Sequence, residues 1–217
     1  MQSFEQLEAD KLQSFFHSIM FKLILSLTLV LVSHESSAKW RIYHQQQQLS
    51  IRYQSNNNTG LYEVKATVVI DASLEDFYQL LTNEDLAPIW LDKVSSTKLL
   101  TTLADNSVVV MTKFEGFAFV SAREMLTRTS IEHRTATSLS LLITDYNDFL
   151  PLNDDYVRVK DVKVRWQATR QANNQLQVSY YGSFDPAGSL PKWLSNRYSL
   201  SSIKASLQNL QTLRPSK

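Results

Sequence analysis

The chain has 217 residues, 43% of them apolar, and a formal charge of +1. That length supports one large or two small domains with a substantial core, and the near-neutral charge provides no broad field for nucleic acid. Cysteine is absent, which excludes disulfides, thiolate metal sites and cysteine nucleophiles together.

Residues 23–32 (LILSLTLVLV) form a largely apolar run of ten, too short to cross a bilayer, which takes about 20 residues. Lys22 precedes it and the small residues Ser36-Ser37-Ala38 follow. This predicts a secretory signal over residues 1–38, cleaved after Ala38, and a periplasmic or secreted domain over residues 39–217. The stretch before the run is acidic (Glu5, Glu8, Asp10), and a start at Met20 would give a more ordinary signal. Cleavage would leave 22 − 2 = 20 basic and 21 − 4 = 17 acidic residues, a mildly basic domain at +3.

In the remaining chain, residues 40–44 and 49–53 read as short strands around a Gln-rich turn, and Asn56-Asn57-Asn58-Thr59-Gly60 as a loop. Tyr62, Val64, Ala66, Val68 and Ile70 alternate with Glu63, Lys65, Thr67 and Val69, the period of a strand with one buried face. Ser73 followed by Asp76 marks a helix start, with Phe77, Leu80 and Leu81 as its apolar face. Pro88 bends the short apolar segment that ends near Trp90. Strand signals then recur over residues 96–103, 107–114, 119–132 and 138–145, separated by short polar breaks of antiparallel hairpins. Val157 and Val159 alternate with Arg158 and Lys160, but the phase slips at Asp161, and Val162, Val164, Trp166 and Ala168 carry the apolar face onward. Such a slip predicts a bulge or sharp bend. Asn173-Asn174 closes another hairpin, and a strand through Tyr180 follows.

That strand breaks at Asp185-Pro186-Ala187-Gly188. A long terminal helix begins at Pro191, whose missing N–H suits a first turn. Trp193, Leu200, Ile203, Leu207 and Leu210 recur at helical spacing and predict its sheet-facing stripe, with Ser195, Asn196, Ser199 and Ser202 off it. The class is α+β: one curved antiparallel sheet wrapped around a long C-terminal helix, with either packed core or a ligand cavity between them.

The passage Ser183-Phe184-Asp185-Pro186-Ala187-Gly188-Ser189-Leu190-Pro191-Lys192-Trp193-Leu194-Ser195-Asn196 resembles the strand-to-helix junction of START (StAR-related lipid-transfer) domains, in the helix-grip superfamily that also holds the Bet v 1-like proteins. Ala187 stands where that family commonly has glycine. Val157-Arg158 with Trp166, and the first helix with its Leu80-Leu81 and following Trp90, resemble it too. A Pro-rich segment ending in Arg-Asp is replaced here by Phe117-Ala118-Phe119-Val120-Ser121-Ala122-Arg123-Glu124, without proline and with a longer acid. The resemblance implies a domain that binds a lipid or other hydrophobic molecule beneath the C-terminal helix, in lipid transfer or sensing, and the signal segment adds export. The helix or the loop before it would move to admit ligand.

The expected ligand-binding residues are Trp90, Phe114, Phe117, Phe119, Arg123, Tyr180, Phe184, Trp193 and Leu200. Arg123 either orients a ligand's polar head or pairs with Asp185 to set strand register, since an unpaired charge is costly inside. Phe117-Ala118-Phe119 is alternatively a loop tip that touches a membrane transiently. The alternation from Arg158 to Arg165 reads as a solvated strand face. No metal, cofactor or nucleic-acid partner is expected, and no catalytic constellation is visible: His44 and His133 are far apart in the chain, and no nucleophile motif is present. The alternative is a cyclase or hydrolase on a helix-grip fold, for which Glu115, Glu124 and Asp185 are the candidate acids.

Overall fold

The computed structural model describes residues 39–116, 120–173 and 175–213. The expected signal segment, Phe117, Phe119 and Asn174 therefore lie outside the described residues.

The strands are β1 (Arg41–Gln46), β2 (Leu49–Ser55), β3 (Tyr62–Ile70), β4 (Val94–Thr102), β5 (Val108–Phe114), β6 (Arg123–Arg134), β7 (Ser138–Asp145), β8 (Val157–Arg158), β9 (Lys160–Arg170) and β10 (Leu176–Asp185). Nine of them make an antiparallel sheet in the order β1-β2-β3-β10-β9-β7-β6-β5-β4, while β8 pairs with β6 in parallel. Alternation decides the buried face: Val64, Ala66, Val68 and Ile70 on β3, and Val162, Val164, Trp166 and Ala168 on β9, all point to the core.

Helix α1 (Leu74–Thr82) starts as its sequence requires. The Ser73 hydroxyl accepts from the Asp76 N–H at 3.1 Å and the Asp76 carboxylate accepts from the Ser73 N–H at 3.0 Å, a reciprocal capping box. Ser73→Ala should therefore lower stability by about 1 kcal/mol in urea unfolding, with little change in the spectrum of the folded state. Helix α2 (Ala87–Trp90) is a single turn with Pro88 in its first positions. It delivers Trp90, whose indole N–H donates to the Leu80 carbonyl at 3.0 Å. Trp166 fills the centre, with ring centroids 6.2 Å from Phe77, 5.6 Å from Trp90 and 4.8 Å from Tyr180. Edge-to-face packing suits these rings.

The slip in β9 is real: Asp161 adopts a left-handed φ of 51°, and the ladder with β10 shifts register opposite it. What lies before the slip differs from expectation. Arg158 does not sit on a solvated face. It is buried and salt-bridged to Glu124 at 2.6 Å, because β8 leaves the line of β9 to pair with β6, where Glu124 lies opposite Arg158.

Helix α3 (Lys192–Thr212) lies against the inner face of the sheet and is tied at both ends. Asn196 accepts from the Tyr62 N–H and donates to the Gly60 carbonyl, each at 2.9 Å. Further along, Ser206 accepts from the Asp92 N–H at 2.9 Å and Asn209 donates to the Trp90 carbonyl at 3.1 Å. Leu200 and Leu207 are buried between these anchors, and Leu210 just beyond the last of them.

Candidate functional site

Between α3 and the inner sheet face lies a cavity of about 240 Å³. Its walls come from the alternate, inward-pointing residues of β3, β5, β6, β9 and β10, from α1 and α2, and from one side of α3. The lining is largely apolar and includes Leu80, Leu81, Trp90, Ile143, Trp166, Tyr180 and Phe184. Small hydroxyl residues are interspersed among these, with Thr97, Thr112, Thr127 and Thr129 on the sheet and Ser195, Ser199, Ser202 and Ser206 on the helix.

Of the residues expected at the site, Trp90, Phe114, Arg123, Tyr180 and Phe184 line this cavity. Leu200 does not; it is buried in the core beside it. Trp193 is a correction. It is 66% exposed and off the wall. At 3.6 residues per turn, the buried arc of α3 runs from Leu200 and Leu207 through Ile203 and Leu210 to the serines, which leaves Trp193 on the solvent edge. The same rotation brings in Ser195 and Ser206, both buried, from outside the expected stripe. Their spacing of four, three and four residues with Ser199 and Ser202 was the available signal, but it reads as polar surface.

The Arg123 guanidinium donates to the Pro186 carbonyl at 3.3 Å and also to the Ser121 carbonyl. Asp185 is not its ion-pair partner; that carboxylate accepts from the Ala187 N–H at 2.8 Å. Arg123 thus braces the loop that leads into α3 from below. Burial lowers its pKa from the ordinary guanidinium value. The adjoining Tyr198 phenol, on the same wall, is pushed up to about 12, chiefly by burial and secondarily by the Asp92 charge. Burial alone raises the Tyr180 phenol as well, so both phenols stay neutral at physiological pH.

In that loop Ala187 and Gly188 are both left-handed, at φ 54° and 71°. A residue with a Cβ is strained there by about 1–2 kcal/mol, which accounts physically for a preference for glycine at position 187. Ala187→Gly should raise stability by up to about 1 kcal/mol in urea unfolding, the strain relief exceeding the added freedom of the unfolded chain. A loss of stability would show that the loop is not held left-handed.

Each of the three acids considered for catalysis has different surroundings. Glu124 is engaged by Arg158, Asp185 caps its own loop, and Glu115 stands exposed at the cavity wall.

The START domain family matches residues 23–215. Among solved structures, the STAR-related lipid transfer protein of Xanthomonas axonopodis is similar with a TM-score of 0.71 at 21% identity, covering 80% of this chain and 97% of that one. Human StAR-related lipid transfer protein 5 also gives 0.71, at 14% identity over 90% of this chain and 95% of that one. A START superfamily protein from Mycobacterium smegmatis gives 0.52 at 11% identity, over 69% and 94%. No curated protein matches the chain. The ten strands in one curved sheet and the long C-terminal helix are the α+β helix-grip arrangement. With the family match extending over most of its length, the chain belongs to the START domain family.

Proposed function

We propose that this chain binds a lipid or other hydrophobic small molecule in the cavity beneath α3, outside the cytoplasm, and carries or senses it there. The observation that supports this reading is the cavity itself: largely apolar and aromatic in its lining, bounded by a helix, and placed against a cation, Arg123, at the helix-proximal loop. Burying apolar ligand surface there is worth about 25 cal/mol per Å², and Arg123 and Tyr198 supply polar contacts for a head group. The two structures above that are named lipid transfer proteins agree with this reading. The extracytoplasmic setting rests on the apolar run at residues 23–32 and on Ser36-Ser37-Ala38; the family match itself begins at residue 23, ahead of the expected cleavage.

Native mass spectrometry of the purified chain tests the binding. Uptake of one lipid per chain from a mixture of fatty acids, phospholipids and sterols is the expected result, and no uptake of any of them rejects it. Fractionation of cells producing the full chain tests the setting: a product beginning at Lys39 outside the cytoplasm is expected, and an intact cytoplasmic chain overturns that part.

A further inference from the structure

On the face of the sheet turned away from the cavity, four adjacent strands carry one row of side chains. Arg52 on β2 lies directly opposite Lys65 on β3, Lys65 opposite Tyr181 on β10, and Tyr181 opposite Arg165 on β9. Their sequence neighbours Ile51, Val64, Ala66, Tyr180 and Trp166 belong to the core, so alternation turns this row outward. Arg52 and Lys65 are both exposed. Like charges directly opposite on neighbouring strands are destabilising, and an acid at either position would stabilise the pair.

Neither cation is ion-paired among the described residues. The one acid on β1, β2 and β3 is Glu63, and its carboxylate accepts from Gln54, Asn56 and the Tyr181 hydroxyl. Lys65 is held by rings: its Nζ sits 4.3 Å from the centroid of Trp40 and 5.6 Å from that of Tyr181. Such contacts fix a cation at the surface without neutralising it. Glu132 compensates Arg165, but Lys163, exposed on the same face of β9, adds a third charge without an ion pair among the described residues. Successive strands lie about 4.8 Å apart, so the three cations span roughly 15 Å across the sheet. Apolar side chains stand among them. Ile42 on β1, directly opposite Arg52, is 63% exposed, and Trp40 precedes it by two residues.

We propose that this outer face docks on the surface of an anionic phospholipid bilayer, with Arg52, Lys65 and Lys163 against lipid phosphates and with Ile42 and Trp40 in the headgroup layer. Each cation held near such a surface raises partitioning about fivefold, and an indole suits the membrane interface. The exposed Ile42 favours a bilayer over a soluble polyanion, which has no apolar layer to receive it. The cavity lies on the other face of the sheet. The contact is therefore a tether set apart from the ligand site, and it does not rest on what that site binds.

Co-sedimentation of the purified chain with vesicles tests the tether. Vesicles of phosphatidylcholine alone measure whatever the apolar run at residues 23–32 contributes. Vesicles of equal parts phosphatidylcholine and phosphatidylglycerol should bind the chain at least about tenfold tighter. That gain should fade in molar salt, where the Debye length falls to about 3 Å. Arg52→Glu places an acid opposite Lys65, so it should raise the melting midpoint while weakening binding to acidic vesicles about twenty-five-fold, two charge steps at once. A residue needed only for the fold would move both readouts the same way. Lys98→Glu makes the same charge change on β4, at the far edge of the sheet, and should alter binding by no more than about twofold. No gain from phosphatidylglycerol, equal losses in Arg52→Glu and Lys98→Glu, or a midpoint that falls together with binding in Arg52→Glu overturns the tether. Binding of soluble tripolyphosphate in place of acidic vesicles overturns it too, and makes the occupant a soluble polyanion. Lipid uptake in native mass spectrometry should be unchanged in Arg52→Glu, so failure of the tether and failure of the cavity reading are read separately.

Discussion

Arg158→Met should lower the free energy of unfolding by about 3–5 kcal/mol, the largest loss expected from any single charge removal among the described residues. The side chains of Arg158 and Glu124 are 3% and 2% exposed. Arg158 Nε donates to Glu124 Oε1 at 2.8 Å, and Nη2 reaches the same oxygen at 2.6 Å. Its remaining donors go to the carbonyls of Asn147 at 3.2 Å, Leu150 at 3.4 Å and Pro151 at 2.9 Å. One guanidinium therefore neutralises a buried carboxylate and fastens the connection between β7 and β8. Methionine fills much of the volume but leaves the Glu124 charge uncompensated and three carbonyls short of a donor. The double variant Glu124→Met with Arg158→Met removes both charges and should recover a large part of the loss, since replacing a whole buried pair by apolar groups is often near neutral. Hydrogen exchange should show faster amide exchange over residues 146–153 in both variants, because the loop loses its donor in each. Urea unfolding of the two single variants and the double variant completes the cycle. If Arg158→Met costs less than about 1 kcal/mol, as an exposed pair would, the pair is not buried in solution.

This ion pair also marks how far the sequence can be read. Glu124 and Arg158 are 34 residues apart, and the alternation around Arg158 looks like a strand edge in water. Only the departure of β8 toward β6 turns Arg158 inward, and that pairing is non-local. Local features were legible in contrast: the Ser73–Asp76 box and the phase slip at Asp161 are decided by neighbouring residues, and both are found. The curved sheet and the terminal helix followed from period-2 and period-3.6 patterns, which need no tertiary information. For the cavity, aromatic residues on the inward phase of strands, such as Phe114, Tyr180 and Phe184, could be found because strand phase decides their side. The lining hydroxyls could not, because serine on a helix and threonine on a strand are ordinary on solvent faces. Trp193 failed for the complementary reason: apolarity places a residue on a stripe, but the angle at which the helix meets the sheet decides which edge of the stripe is covered.

Gly182→Ala should close part of the cavity through a neighbour, with the second large effect. Tyr180 and Gly182 point to the same face of β10, two residues apart, and the Tyr180 ring leans over Gly182. A Cβ at position 182 would stand 2.0 Å from the Tyr180 hydroxyl oxygen and 2.4 Å from its Cζ. These distances are far inside contact, so the ring must swing away. Trp166 lies against it, with centroids 4.8 Å apart, and both residues lie on the cavity wall, so the space that can receive the ring is the cavity. The overpacking should cost about 1–3 kcal/mol, and lipid uptake in native mass spectrometry should fall at least tenfold. A second substitution separates this mechanism from simple damage to the strand. In Tyr180→Val with Gly182→Ala the added methyl meets no ring, so uptake should return even though one substitution has become two. Uptake that stays low in the double variant would mean that Gly182 acts through the backbone of β10. Undiminished uptake in Gly182→Ala would mean that ligand does not occupy the space beside Tyr180, and the proposed site would have to lie elsewhere on the chain.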